Sequence, residues 1–94
     1  MFARITKFKM KASSVETVRG LLPQIKSQIM ALPGLQQFLC TMDDDGSGYV
    51  VSLVTDQATS DANQEKVAAI WANFADHLEA MPVPEGFAVE ANWS

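Results

Sequence analysis

His77, Trp71, Asn63 and Cys40 are the side chains of this 94-residue chain with the most chemistry to offer a small molecule. His77 is the single imidazole, and because its charge changes near neutral pH it could shuttle a proton or hold a ligand. Trp71 could form the wall on which an aromatic ligand stacks, while Asn63 could direct its amide into the same pocket. Each also has a plainer reading. Trp71 lies on an apolar helical stripe and can simply pack, His77 can bond to backbone or water at the stripe's edge, and Asn63 can satisfy amides of a first helical turn. Cys40 alternates with Phe38 and Met42 along a strand and reads as a small buried hydrophobe. To act as a nucleophile it would need His77 within hydrogen-bond reach and a third group to orient that histidine. Arg4 and Lys7 could meet an anionic ligand, although surface solvation explains them equally well.

Other chemistries fail on residue type or spacing. Asp43, Asp45, Ser47 and Gly48 copy the opening of a calcium loop, yet the twelfth position is Val54 and the flanks alternate like strands. A tight acidic hairpin is expected instead. Gly46-Ser47-Gly48 lacks the following helix that a phosphate-binding loop requires. One histidine and one cysteine cannot fill a zinc site, so no metal is expected. Seven basic against eleven acidic residues give a net charge of −4, which repels phosphate backbones and anionic lipid. No nucleic acid and no membrane are therefore expected as partners. The opening Met1-Phe2-Ala3-Arg4 lacks the apolar stretch of a secretory signal, and the lone cysteine cannot form an internal disulfide, so a cytoplasmic location is expected.

The elements that must position these side chains follow from period and punctuation. With 48% apolar and 19% charged residues, and with its length, the chain makes a single domain over residues 1–94. Phe2 to Lys11 alternates as a first strand. Ser13, with Glu16 in capping-box spacing, opens a helix whose stripe is Val15, Val18, Leu22, Ile25, Ile29 and Leu32. Pro23 should kink that helix rather than end it, since the stripe resumes in register, and Pro33-Gly34 should stop it. Gln37 to Met42 and Tyr49 to Thr55 form a hairpin around Asp45-Gly46. Asp61 and Gln64 make a second capping box ahead of Val67, Ile70, Trp71, Phe74, Leu78 and Met81, and Phe87 to Trp93 alternates as a last strand.

The resulting order, β-α-β-β-α-β, predicts an α+β ferredoxin-like domain in which two helices cover one face of a four-stranded antiparallel sheet. The strands are apolar on both faces, so the uncovered face is expected to pack against a second copy, giving a homodimer through sheet faces.

Several local features make the chain resemble the antibiotic-biosynthesis-monooxygenase-like family of dimeric α/β barrels. They are the strand Phe2-Ala3-Arg4-Ile5-Thr6-Lys7-Phe8, the helix end Met30-Ala31-Leu32-Pro33-Gly34-Leu35, the hairpin Asp45-Gly46-Ser47-Gly48, and Ile70-Trp71. The resemblance implies a cleft between helices and sheet that binds a flat hydrophobic or aromatic molecule. It implies a monooxygenase-like oxidoreductase working without a flavin or metal cofactor. Trp71, His77 and Asn63 would then be the catalytic candidates, and Phe8, Phe38, Trp71 and Phe74 the ligand contacts. Haem-degrading relatives also use an asparagine on the first strand, where this chain has Thr6 or Lys7. The alternative on the same fold is a binding or structural homodimeric module without turnover.

Overall fold

A computed structural model describes the chain from Met1 to Ser94. Alternation along Phe2–Lys9 produces strand β1, and β2 (Leu35–Met42), β3 (Ser47–Val54) and β4 (Val83–Ala88) complete one antiparallel sheet. Its order is β2-β3-β1-β4. β1 runs against β3 from Phe2↔Val54 to Lys9↔Ser47, and against β4 from Phe2↔Ala88 to Lys7↔Val83. The first and third strands are therefore central, with a helical crossover on each half, which is the ferredoxin-like α+β arrangement.

The first helical region keeps its stripe but not its continuity. A 3₁₀ turn at Ala12–Ser14 leads into α1 (Val15–Leu21), a second 3₁₀ turn at Leu22–Ile25 carries Pro23, and α2 (Lys26–Met30) follows. The expected interruption at Pro23 is thus absorbed by tighter winding, because that ring offers no amide to the preceding turn. Val15, Val18, Ile25, Ile29 and Leu32 stay buried on both sides of it. The Ser13–Glu16 capping box does not form: neither end of the 3₁₀ turn has a side-chain cap, and the Glu16 carboxylate accepts from Arg19 at 2.7 Å. Gly34, at φ +73°, then takes the left-handed turn that a Cβ would disfavour.

The second helical region begins earlier and ends sooner than its sequence pattern predicts. Its cap is Asp56, whose Oδ1 accepts from the Thr59 amide at 2.8 Å, and α3 covers Gln57–Ala62. Asp61 lies inside α3 and pairs with Arg4 at 3.1 Å. After a break at Asn63, α4 covers Gln64–Ala72 and a 3₁₀ turn covers Ala75–His77. The helix stops short of Met81 because the chain is drawn onto the end of β1: Lys11 N donates to His77 O at 2.7 Å and Glu79 N to Lys9 O at 3.0 Å. Leu78 consequently bridges to Met10 and is still buried, whereas Met81 is exposed.

The last strand is also shifted. It occupies Val83–Ala88 rather than Phe87 to Trp93, since β1 begins at Phe2 and offers nothing to pair beyond Met1, whose carbonyl accepts from Val89 N at 3.2 Å. Pro84 is tolerated because β4 is an edge. In the hairpin, Asp43 Oδ1 accepts from the amides of Asp45 and Ser47 at 2.9 and 3.1 Å, and Gly46 turns at φ +92° against the Met10 backbone. The carboxylate of Asp43 is thus occupied in holding the turn.

All helices lie on one side of the sheet, where Phe8, Met10, Phe38 and Val50 meet Val18, Ile25, Ile29 and Phe74. On the opposite side Ile5 faces Val51, Leu39 faces Val51, and Ala3 stands between Leu53 and Phe87. Leu39, Tyr49 and Phe87 are about half exposed there. No helix is long and apolar enough to cross a membrane.

Candidate functional site

Alternate residues of three neighbouring strands build the floor of the site. Thr6 and Phe8 come from β1, Phe38 and Cys40 from β2, and Val50 and Ser52 from β3, all on the helix side. The roof is the stripe Val18, Leu22, Ile25 and Ile29 together with Val67, Ile70, Trp71 and Phe74. Thr6, Cys40, Val50 and Ser52 are too small to reach that roof, so a cavity of about 230 Å³ is left open. Of its 19 lining residues 15 are hydrophobic, which makes the space suited to an apolar occupant.

Phe8, Phe38, Trp71 and Phe74, the expected ligand contacts, all line this cavity. Trp71 joins them into one wall: its ring centre is 5.8 Å from Phe8 at 56° and 6.2 Å from Phe74 at 66°, both tilted packings that favour aromatic quadrupoles. Trp71 itself is only partly buried, so one side of its indole meets the cavity.

The other two catalytic candidates stand elsewhere. His77 does not line the cavity; its Nδ1 lies 3.0 Å from Ser14 Oγ, tying the turn after α4 to the start of α1. Asn63 is buried, and its Nδ2 donates to Pro33 O at 2.9 Å. It lines a separate hollow of about 40 Å³ beside the cavity, with Arg4, Ser52 and Ser60. Trp71, His77 and Asn63 are therefore not brought together around one point.

Polar and ionisable groups in the cavity wall are few. Cys40 is partly buried, and loss of water pushes its thiol up from the usual value of 9.0, so it is protonated at neutral pH. Arg19 stands at the hairpin end, held by Asp44 at 2.8 Å and Glu16 at 2.7 Å; those hydrogen bonds raise its pKa further above the ordinary arginine value. Lys7 is on the opposite side of the sheet, across from Tyr49. Arg4, by contrast, lines both the cavity and the hollow. Thr6 and Ser52 were not singled out by sequence reasoning as site residues. The signal available for Thr6 was its place between Arg4 and Phe8 on one face of an alternating strand.

No protein-family model matches the sequence, and no curated protein does. Solved structures do match in shape. A protein of unknown function from Nitrosomonas europaea is 19% identical with a TM-score of 0.82, over 99% of this chain and 92% of that one. An antibiotic biosynthesis monooxygenase is 15% identical with a TM-score of 0.76, over 97% of this chain and 100% of the other. A variant of MhuD with two manganese protoporphyrin IX molecules bound per active site is 13% identical with a TM-score of 0.77, over 100% and 99%.

The residues of this chain do not fit a haem. No imidazole lines the cavity, the one thiol is held protonated, and about 230 Å³ is below the roughly 300 Å³ at which pockets for drug-sized ligands begin. At these identities the likeness is one of fold, and it bears out the resemblance read from the sequence at that level: this chain has the ferredoxin-like α+β fold of the antibiotic biosynthesis monooxygenases.

Proposed function

We propose that this chain binds a small, flat, apolar molecule in the cavity beneath Trp71 and works as a homodimer joined through the open faces of its sheet. The observation that carries the reading is the cavity itself, about 230 Å³ lined almost wholly by hydrophobic side chains. An apolar cavity of about 150 Å³ stays dry and accepts benzene, so this one has room for one or two rings. The apolar open face, with Leu39, Tyr49 and Phe87 half exposed, supports the dimer. The unpaired Cys40 suits a reducing compartment such as the cytoplasm.

The reaction this reading assigns is oxidation of the bound molecule by O₂ without flavin or metal; the oxygenation is supported by structural neighbours called antibiotic biosynthesis monooxygenases. For a ring methylene the balance closes without a further reductant: the carbon becomes a carbonyl, one oxygen atom enters it, and the other leaves as water. The cavity's part is to hold ligand and O₂ together in a dry space with Trp71 as one wall. A second reading, a binding module without turnover, is favoured by one observation. His77 is bonded to Ser14 and lines no part of the cavity.

Of the two tryptophans Trp93 is almost fully exposed, so a Trp93→Phe variant leaves Trp71 as the sole indole. Its fluorescence should quench saturably with 1-tetralone or naphthoquinol, and O₂ uptake with the same compounds should depend on protein concentration. Quenching without O₂ uptake selects the binding module. No quenching by any flat apolar compound would remove both readings.

A further inference from the structure

Three of the cavity's four polar side chains, Arg4, Thr6 and Ser52, are gathered at one end, while the fourth, Arg19, is at the other and is tied up by Asp44 and Glu16. On the floor Arg4 stands directly opposite Ser52 in the β1–β3 register, and Thr6, next on the same face of β1, is diagonal to Ser52. Thr6 is only 2% exposed, yet its hydroxyl has no protein partner and no polar atom of the protein is sealed away unpaired, so that hydroxyl opens onto the cavity. The Ser52 hydroxyl likewise has no protein partner. Both hydroxyls are therefore free to donate to or accept from an occupant of the cavity.

Arg4 is fixed from three sides. Its guanidinium sits 5.4 Å from the centre of the Phe2 ring, Nε and Nη2 donate to Ser60 Oγ at 3.0 and 2.8 Å, and Nη2 also donates to Asp61 Oδ1 at 3.1 Å. Nη1 has no protein acceptor, and Gly86 leaves it room, since a Cβ there would come within 3.2 Å of it. The side chain is 17% exposed. Beside it is the hollow of about 40 Å³, and Arg4, Ser52, Leu32 and Val67 are walls of both spaces, so the hollow adjoins the cavity. One water needs roughly 10–15 Å³ of such space and a benzene ring about 150 Å³, so the hollow has room for a small head group and too little for a ring.

We infer that the ligand is a small monocarboxylic acid, its apolar body against Trp71 and Phe8 and its carboxylate at Arg4, met by the Thr6 and Ser52 hydroxyls. This rests on the proposed cavity-binding function and adds the ligand class and the residue that selects it. A carboxylate fits on charge and size. Arg4 carries a single positive charge, part of it already met by Asp61 on the solvent side, so the site suits at most one negative charge and not a phosphate dianion, and the hydroxyl and guanidinium donors together suit two carboxylate oxygens.

The test is calorimetric titration with cinnamate and with cinnamyl alcohol, which share a skeleton and differ in the head group. Cinnamate should bind about tenfold tighter than the alcohol, the factor expected for one charge-assisted hydrogen bond. Arg4→Gln should abolish that preference, Ser52→Ala should weaken cinnamate more than the alcohol, and Arg19→Gln at the far end should keep the preference. Should Arg4→Gln fail to fold by circular dichroism, Ser52→Ala and Thr6→Val decide, and an undiminished preference in both overturns the inference. Equal affinity for acid and alcohol in the unmodified protein also overturns it, while leaving cavity binding intact. If neither compound binds, the inference falls, and cavity binding stands or falls on the fluorescence titrations with other flat apolar compounds.

Discussion

Cys40 and His77 illustrate how far one residue's chemistry depends on what surrounds it. The Cys40 thiol faces the cavity, and desolvation holds its pKa above 9.0. Alkylation by iodoacetamide, followed by mass spectrometry, should therefore be slow at pH 8, accelerate only above pH 9, and slow further when the cavity is filled. A rate at pH 8 matching that of free cysteine would contradict this placement. His77→Ala removes the bond to Ser14 and should cost about 1 kcal/mol of stability in urea unfolding, with ligand affinity unchanged. Trp71→Ala should instead abolish binding, because it removes the wall shared by Phe8 and Phe74. Trp71 was legible as an aromatic on a helical stripe. The partner of His77 was not, since Ser14 is distant in sequence and meets it only after the turn following α4 docks on β1.

At the scale of elements, the caps decide where helices begin, and here spacing alone misplaces them. Both Asp61-Gln64 and Ser13-Glu16 have capping-box spacing, but the cap that forms is Asp56, which accepts from Thr59 N. That hydrogen bond holds the Asp56 carboxyl below its ordinary value of 3.8. A pKa lowered on folding means stabilisation that is fully present above the unfolded value and lost as pH falls through the folded one. Asp56→Ala should thus lower the melting temperature at pH 7, with the difference from the unmodified protein shrinking below pH 4. Asp56→Asn, which keeps an acceptor, should lose much less at pH 7 and show no such pH dependence. A deficit in Asp56→Ala that stays constant from pH 7 to pH 2 would show that the carboxylate is not the cap. The stripes themselves were legible on both helical regions, because apolar spacing survives a local change from α to 3₁₀ winding at Pro23.

For the whole molecule, the proposed homodimer depends on the open sheet face. Leu39, midway along the edge strand β2, stands on that face opposite Val51 and is half exposed, so Leu39→Asp should give monomers in sedimentation at micromolar concentration with the far-ultraviolet spectrum unchanged. Unmodified protein sedimenting only as a folded monomer would exclude the homodimer. What the amino-acid order determined by itself was the sequence of elements, the two-faced strands and the apolar stripes, because alternation and helical spacing are local properties that any window of chain displays. Only the tertiary structure decided that β4 stops at Ala88 where β1 runs out, and that Thr6, Cys40, Val50 and Ser52 fall short of the opposing helices and leave a cavity. It alone put Arg4 beside two hydroxyls, for the physical reason that register, docking distance and unfilled volume arise between segments far apart in the chain and belong to none of them singly.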